Sequence, residues 1–190
     1  MSRSSAEFTV CRSSRPASSP SQGSIRPVNH GPAYAGGVAE LAQVNVAVPR
    51  APLDDPVMSG FANAFDAVAR LAEAAPGFVW RLDAGSGHAI VASDGGAGLV
   101  VNVSVWRDYR SLHEFVYRSA HGRALLRRRE WFARTPQPST ALWWVPDGGR
   151  PGVEQALARL RYLRDHGPSP QAFSLLCRFT ADGRPLGRRR

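Results

Sequence analysis

The sequence has no lysine: all 24 of its basic side chains are arginine. Schiff-base and pyridoxal-phosphate chemistry, a P-loop phosphate lysine, and biotin or lipoyl attachment all require an ε-amine, so each is excluded. Cysteine is nearly absent too, with Cys11 and Cys177 far apart in 190 residues. Two such thiols make neither a disulfide scaffold nor a Cys-rich metal site, and they read as incidental in a reducing compartment. No run approaches the ~18 apolar residues of a membrane-spanning helix, and the N-terminal segment has no apolar signal-peptide core. These absences predict a cytoplasmic protein without a membrane partner. A GxSxG nucleophile elbow is also missing, which leaves a serine hydrolase nothing to rest on.

What is present suits one domain with a true core, since hydrophobic residues make up 43% of the chain. The net charge of +9 resembles a nucleic-acid signal until it is divided along the chain. Residues 1–40 hold +2, residues 181–190 hold +3, and only +4 remains between them. Dispersed charge of that size argues against nucleic acid as a partner. We therefore expect a disordered polar leader over residues 1–40, a domain over 41–180, and a disordered basic tail over 181–190. The Ser-rich, Arg-bearing leader has a composition shared with transit peptides, but no sustained apolar face accompanies its arginines.

Inside the domain, apolar spacing predicts strands at 41–48, 78–82, 99–106, 140–145 and 172–179, with a short one near 89–92. Asp55 is placed to cap a helix opening at Pro56, in which Met58, Phe61, Phe65, Val68 and Ala72 form one stripe. A second helix spans Tyr109 to about Phe132, with Gly122 able to bend or divide it, and a third runs from Val153 to His166 with Gly167 as its cap. The order matches an α+β, ferredoxin-like split βαβ plan. That plan is an antiparallel sheet with helices on one face, extended by a C-terminal helix and strand.

Alternation assigns the two faces of the central strands. Val44, Val46, Val101, Val103 and Val105 share an aliphatic face that suits helices. Opposite them stand Gln43, Asn45, Asn102, Ser104 and Trp106, on the side expected to be uncovered. Asn is depleted in strands, yet Asn45 and Asn102 should lie together at the sheet centre. Either this is a solvated face, or two chains close it into a dimeric barrel around a small-molecule cavity. Four of the five tryptophans fall on strands or their ends, Trp106 and Trp144 among them, and this aromatic surface favours the dimer.

The second helix holds the richest polar constellation. Tyr117 and His121 lie four apart on one face, and His113 precedes them by one turn. Because successive residues turn by about 100°, Arg127, Arg128 and Arg129 fan around the helix, and at least one must lie along the flank facing the sheet. A His beside Tyr and Arg can shuttle a proton and stabilise an oxyanion. The same groups equally make a structural network of hydrogen bonds and ion pairs. His113 and His121 stand about 12 Å apart along the axis, too far for one metal ion. Haem needs only one axial ligand, which His121 can supply.

The segments VNVSVW at 101–106, FVYRSAHGRALLRRREWF at 115–132, LWWVP at 142–146 and RDHGP at 164–168 resemble the bacterial family known as domain of unknown function 3291. The resemblance covers about residues 41–179. It implies a dimeric α+β barrel superfamily fold, shared with antibiotic-biosynthesis monooxygenases and haem-binding or haem-degrading proteins. The matching positions are Asn102, Trp106, Tyr117, Arg118, His121, Arg127, Arg128, Arg129, Trp131, Trp143 and Trp144. Relatives often carry His or Thr where this chain has Gly149, and Thr where it has Gly152.

Two functions follow as expectations. One is a small oxygenase-like enzyme acting on an apolar or aromatic metabolite, with or without haem. In it His121, Tyr117 and Arg128 are catalytic, and Asn45, Asn102, Ser104, Trp106 and Trp144 bind the ligand. The other is a non-catalytic homodimer that binds a small ligand or serves as structure.

Overall fold

A computed structural model of the chain describes residues 38–83, 90–93, 98–118 and 127–187. The chain divides into two units, Met1–Pro32 and Ala33–Arg190. The first lies wholly outside the described residues, as do the leader up to residue 37 and His121.

Strand β1 spans Ala39–Ala47, β2 Phe78–Arg81, β3 Ile90–Ser93, β4 Gly98–Trp106 and β5 Thr140–Pro146. They form an antiparallel sheet in the order β2-β4-β1-β5, with β3 also paired to β4. This is the split βαβ arrangement expected from the sequence. Asn45 lies directly opposite Asn102, and Gln43 opposite Ser104. Helix α1 (Ser59–Glu73) follows a 3-10 turn at Pro56–Met58, where the Asp55 carboxylate accepts from Val57 N–H at 2.8 Å. Helix α2 (Tyr109–Arg118) starts at Asp108, whose Oδ1 accepts from the Ser111 N–H and hydroxyl at 2.8 and 3.0 Å. The chain is helical again over 127–131, while 119–126, including the position of Gly122, lie outside the described residues. Helix α3 (Val153–His166) ends on Gly167, whose φ of 74° needs glycine and whose N–H bonds the Leu163 carbonyl.

Both faces of the sheet are covered by the chain itself. Helix α3 buries Ala156, Leu160 and Leu163 on the aliphatic face, among Val44, Val103, Val105 and Trp143. Helices α1 and α2 lie on the opposite face. There Ala72, Leu112 and Phe115 pack against Leu41, Trp106 and Leu142, while Met58 and Phe61 pack against Ala47 and Val100. The expectation that the amide-bearing face would stay uncovered is therefore corrected. The reason lies in the ends of the strands. Leu41, Ala47, Val100 and Trp106 are apolar and buried, and only the middle of that face is polar and half-buried. Two helices can seal such ends while standing off the centre.

The expected strand over 172–179 is also corrected. One bridge, Leu142 to Phe173, holds this segment to the edge of β5. The Ser174 hydroxyl then accepts from the Leu176 and Cys177 N–H groups and turns the chain out of line. Strand pairing resumes only in a hairpin of β6 (Arg178–Phe179) with β7 (Pro185–Leu186). That hairpin reaches into the segment expected as the basic tail, at Pro185–Leu186. No helix among the described residues is long and apolar enough to cross a membrane.

Candidate functional site

Where α1 stands off the middle of the amide-bearing face, a cleft remains. Its first lobe, about 110 Å³, has Asn45 and Asn102 on its floor and Phe61, Phe65, Trp131 and Phe132 among its walls, with Arg128 at its side. The second lobe, about 80 Å³, continues over Gln43, Ser104 and Trp106 toward Phe78, Phe115 and Arg81. Phe65, Val68 and Asn102 line both lobes, which therefore lie side by side along the same face of the sheet.

The walls are held by aromatic packing. Phe61 meets Phe132 edge to face at 4.8 Å and lies 6.0 Å from Trp131. Trp106 stacks on Phe115 at 5.0 Å and takes the Phe78 edge at 5.4 Å. Backbone pairing beside β1 positions the helical stretch over 127–131. Arg50 N–H bonds the Trp131 carbonyl, and Ala133 N–H bonds that of Val48. Arg128 consequently turns inward, where its Nη2 donates to the Val46 carbonyl at 3.1 Å. Burial pushes its guanidinium below the ordinary value, yet a group starting so high stays cationic near neutral pH. Arg127 instead pairs with Glu130 at 2.9 Å on the outer side of the same turn. This fan is the one expected from helix geometry.

The other polar groups divide into spent and unspent. Asn45 donates its amide N–H to Thr140 Oγ1 at 2.7 Å, and Ser104 accepts from Trp106 Nε1 at 2.9 Å. Arg81 is neutralised by Glu73 at 2.6 Å. Asn102 forms no side-chain hydrogen bond among the described residues, and it borders both lobes. Gln43 on the second lobe likewise forms no side-chain hydrogen bond among the described residues, so Asn102, Gln43 and the remaining donors of Arg128 are available to a ligand, within walls that are mostly hydrocarbon.

Of the residues singled out from sequence, Asn45, Asn102, Ser104, Trp106 and Arg128 converge on this cleft. Trp144 does not: its Nε1 donates to the Phe179 carbonyl at 2.8 Å and ties down the C-terminal hairpin. Tyr117 lines neither lobe. It is 58% exposed, and its ring lies 4.7 Å from that of His113, which in turn lies 5.7 Å from the ring of the half-buried Tyr109. Burial raises the Tyr109 phenol above its usual range, with Arg178 opposing the shift. Sequence reasoning missed Phe61, Phe65 and Phe132 as site residues. Their spacing marks them as apolar, and an apolar stripe reads as core until the helix is known to stand over amides.

The cleft does not fit haem. Its lobes are far smaller than the roughly 300–1,000 Å³ typical of ligand pockets. Among the described residues, no His lines either lobe and no cluster of metal-ligating side chains occurs. The lobes are closer to the about 150 Å³ that holds benzene in an engineered core, which points to one or two rings. No carboxylate lines them either, so the described walls can bind and orient a molecule and stabilise negative charge on it.

Gly149 closes a tight turn after β5. A side-chain carbon there would meet the Pro146 carbonyl oxygen at 2.8 Å and Val145 Cβ at 2.9 Å. A residue with a side chain has no room in this turn as it stands.

None of the curated proteins matches the chain. Among solved structures it is similar to SnoaB, a cofactor-independent oxygenase from Streptomyces nogalater, at 15% identity and a TM-score of 0.39. That similarity covers 60% of this chain and 96% of the other, and a likeness so weak carries no inference about activity. The family comparison is of a different order: residues 40–188 match the model described as Domain of unknown function (DUF3291), and the chain belongs to that family.

Proposed function

We propose that this protein binds a small aromatic or otherwise apolar metabolite in the cleft between α1 and the sheet, and acts on it as an oxygenase-like enzyme. One observation carries the binding step: Asn102 and Arg128 keep hydrogen-bonding capacity unspent inside walls of Phe61, Phe65, Trp131 and Phe132. Both groups are half-buried, and polar groups with unspent capacity beside an apolar-walled cavity are the ones that orient a ligand there. The catalytic step adds His121 as the base that would deprotonate an electron-rich substrate, with Arg128 stabilising the resulting anion.

The alternative, ligand binding without catalysis, is favoured by the outward position of Tyr117, which separates it from the cleft it was expected to share. Mass spectrometry of the purified protein under native and denaturing conditions tests the common core of both readings. We expect a co-purifying molecule of one or two rings, lost on substitution of Phe65 by Trp, which fills the junction of the lobes. Oxygen uptake on adding that molecule back distinguishes enzyme from binder. No retained or added aromatic compound binding at millimolar concentration would overturn both.

A further inference from the structure

We infer that the occupant of this cleft is an anion, a small aromatic carboxylate whose headgroup is held by Arg128. The inference rests on the ligand-binding reading above and deepens it by fixing the charge of the ligand. Arg50 and Arg159 donate to backbone carbonyls, whereas Arg81, Arg127 and Arg150 have carboxylate partners in Glu73, Glu130 and Glu40. Arg128 is half-buried and has none among the described residues.

Its single hydrogen bond, to the Val46 carbonyl, leaves most of the five guanidinium donors unused. A half-buried cation without a counter-charge carries part of a desolvation cost, and a bound carboxylate offsets that cost with two parallel hydrogen bonds. A neutral ligand returns hydrogen bonds to the guanidinium but no counter-charge, and a cationic one would be repelled.

The surroundings reinforce the choice. Behind Arg128 a surface groove of about 210 Å³ runs past Arg129, Arg134, Thr135 and Ser139, with no acidic residue in its lining. Arg128 borders both this groove and the first lobe, so the positive field faces the cleft from its outer side as well. Asn102 adds a neutral amide on the cleft floor, and aromatic side chains form much of the wall beyond it. An arginine at the side of an aromatic-walled slot, with an amide on its floor, suits a flat acid.

Isothermal titration of the full chain with 1-naphthoate and its neutral isostere 1-naphthamide tests this. The acid should bind wild-type protein about tenfold or more tightly than the amide, because hydrogen bonds to charged groups exceed neutral ones by that order. Arg128→Gln should bring the two within about twofold, and Arg128→Lys should keep part of the preference. Circular dichroism verifies that both variants are folded, and the wild-type comparison stands without them. Equal binding of acid and amide by wild-type protein overturns the anion inference while leaving the cleft as a binding site. Binding of neither overturns both, and a preference that persists in folded Arg128→Gln overturns the assignment to Arg128.

Discussion

Small residues at close approaches decide how the helices meet the sheet. Gly77, between α1 and β2, has φ 79°, and a side-chain carbon there would fall within the Ser111 side chain, 2.6 Å from its Cβ. Ser111 cannot yield cheaply, since its hydroxyl and N–H are both held by Asp108. We expect Gly77→Ala to cost about 3 kcal/mol, from left-handed strain plus overpacking. The urea midpoint should recover in part in the double variant with Ser111→Ala, since the two positions share one contact. A midpoint unchanged in Gly77→Ala would show that this contact is not tight.

At this scale the sequence was most legible where alternation alone decides. Asn45 and Asn102 had to share a face, and the strand order had to make them neighbours; they are paired in register. Their environment was not legible. Whether an amide meets water, a partner chain or the same chain's helix depends on residues tens of positions away. The fate of Ser104 was hidden for a more local reason: the Trp106 indole two residues on, along the same face, takes its hydroxyl.

Among the elements, caps and stripes were readable because they are local chemistry. Asp55, Pro56 and Gly167 act at helix ends as their types predict. Asp108 was not singled out, yet it caps α2 through two bonds. Asp108→Ala should destabilise the protein by about 1 kcal/mol, and Asp108→Asn by much less. Thermal melts of the two variants provide the check, and equal melting temperatures would show that the cap contributes nothing. Helix α2 carries Phe115 onto Trp106, so the same loss of order reaches the wall of the second lobe. The failed expectation at 172–179 belongs to this scale too. Apolar alternation suggested a strand, but Ser174 offers the backbone a competing turn and leaves one bridge where a ladder was expected.

In the molecule as a whole, the argument that bare indoles and amides require a second chain no longer applies. Trp106 is buried under α2, Trp143 under α3, and the polar middle under α1. The amides therefore face a cleft formed by a single chain. The five tryptophans sample this arrangement from both faces. Trp131 and Trp106 border the lobes, Trp143 lies on the opposite face, and Trp144 is tied to Phe179. Two-dimensional NMR of the indole N–H groups during titration with 1-naphthoate, each signal assigned by a Trp→Phe variant, therefore reads the position of the ligand directly. The account predicts saturable shifts of Trp131, with smaller ones at Trp106, and still signals from Trp143 and Trp144. Shifts confined to Trp143, Trp144 or Trp80, with Trp131 unmoved, would contradict it.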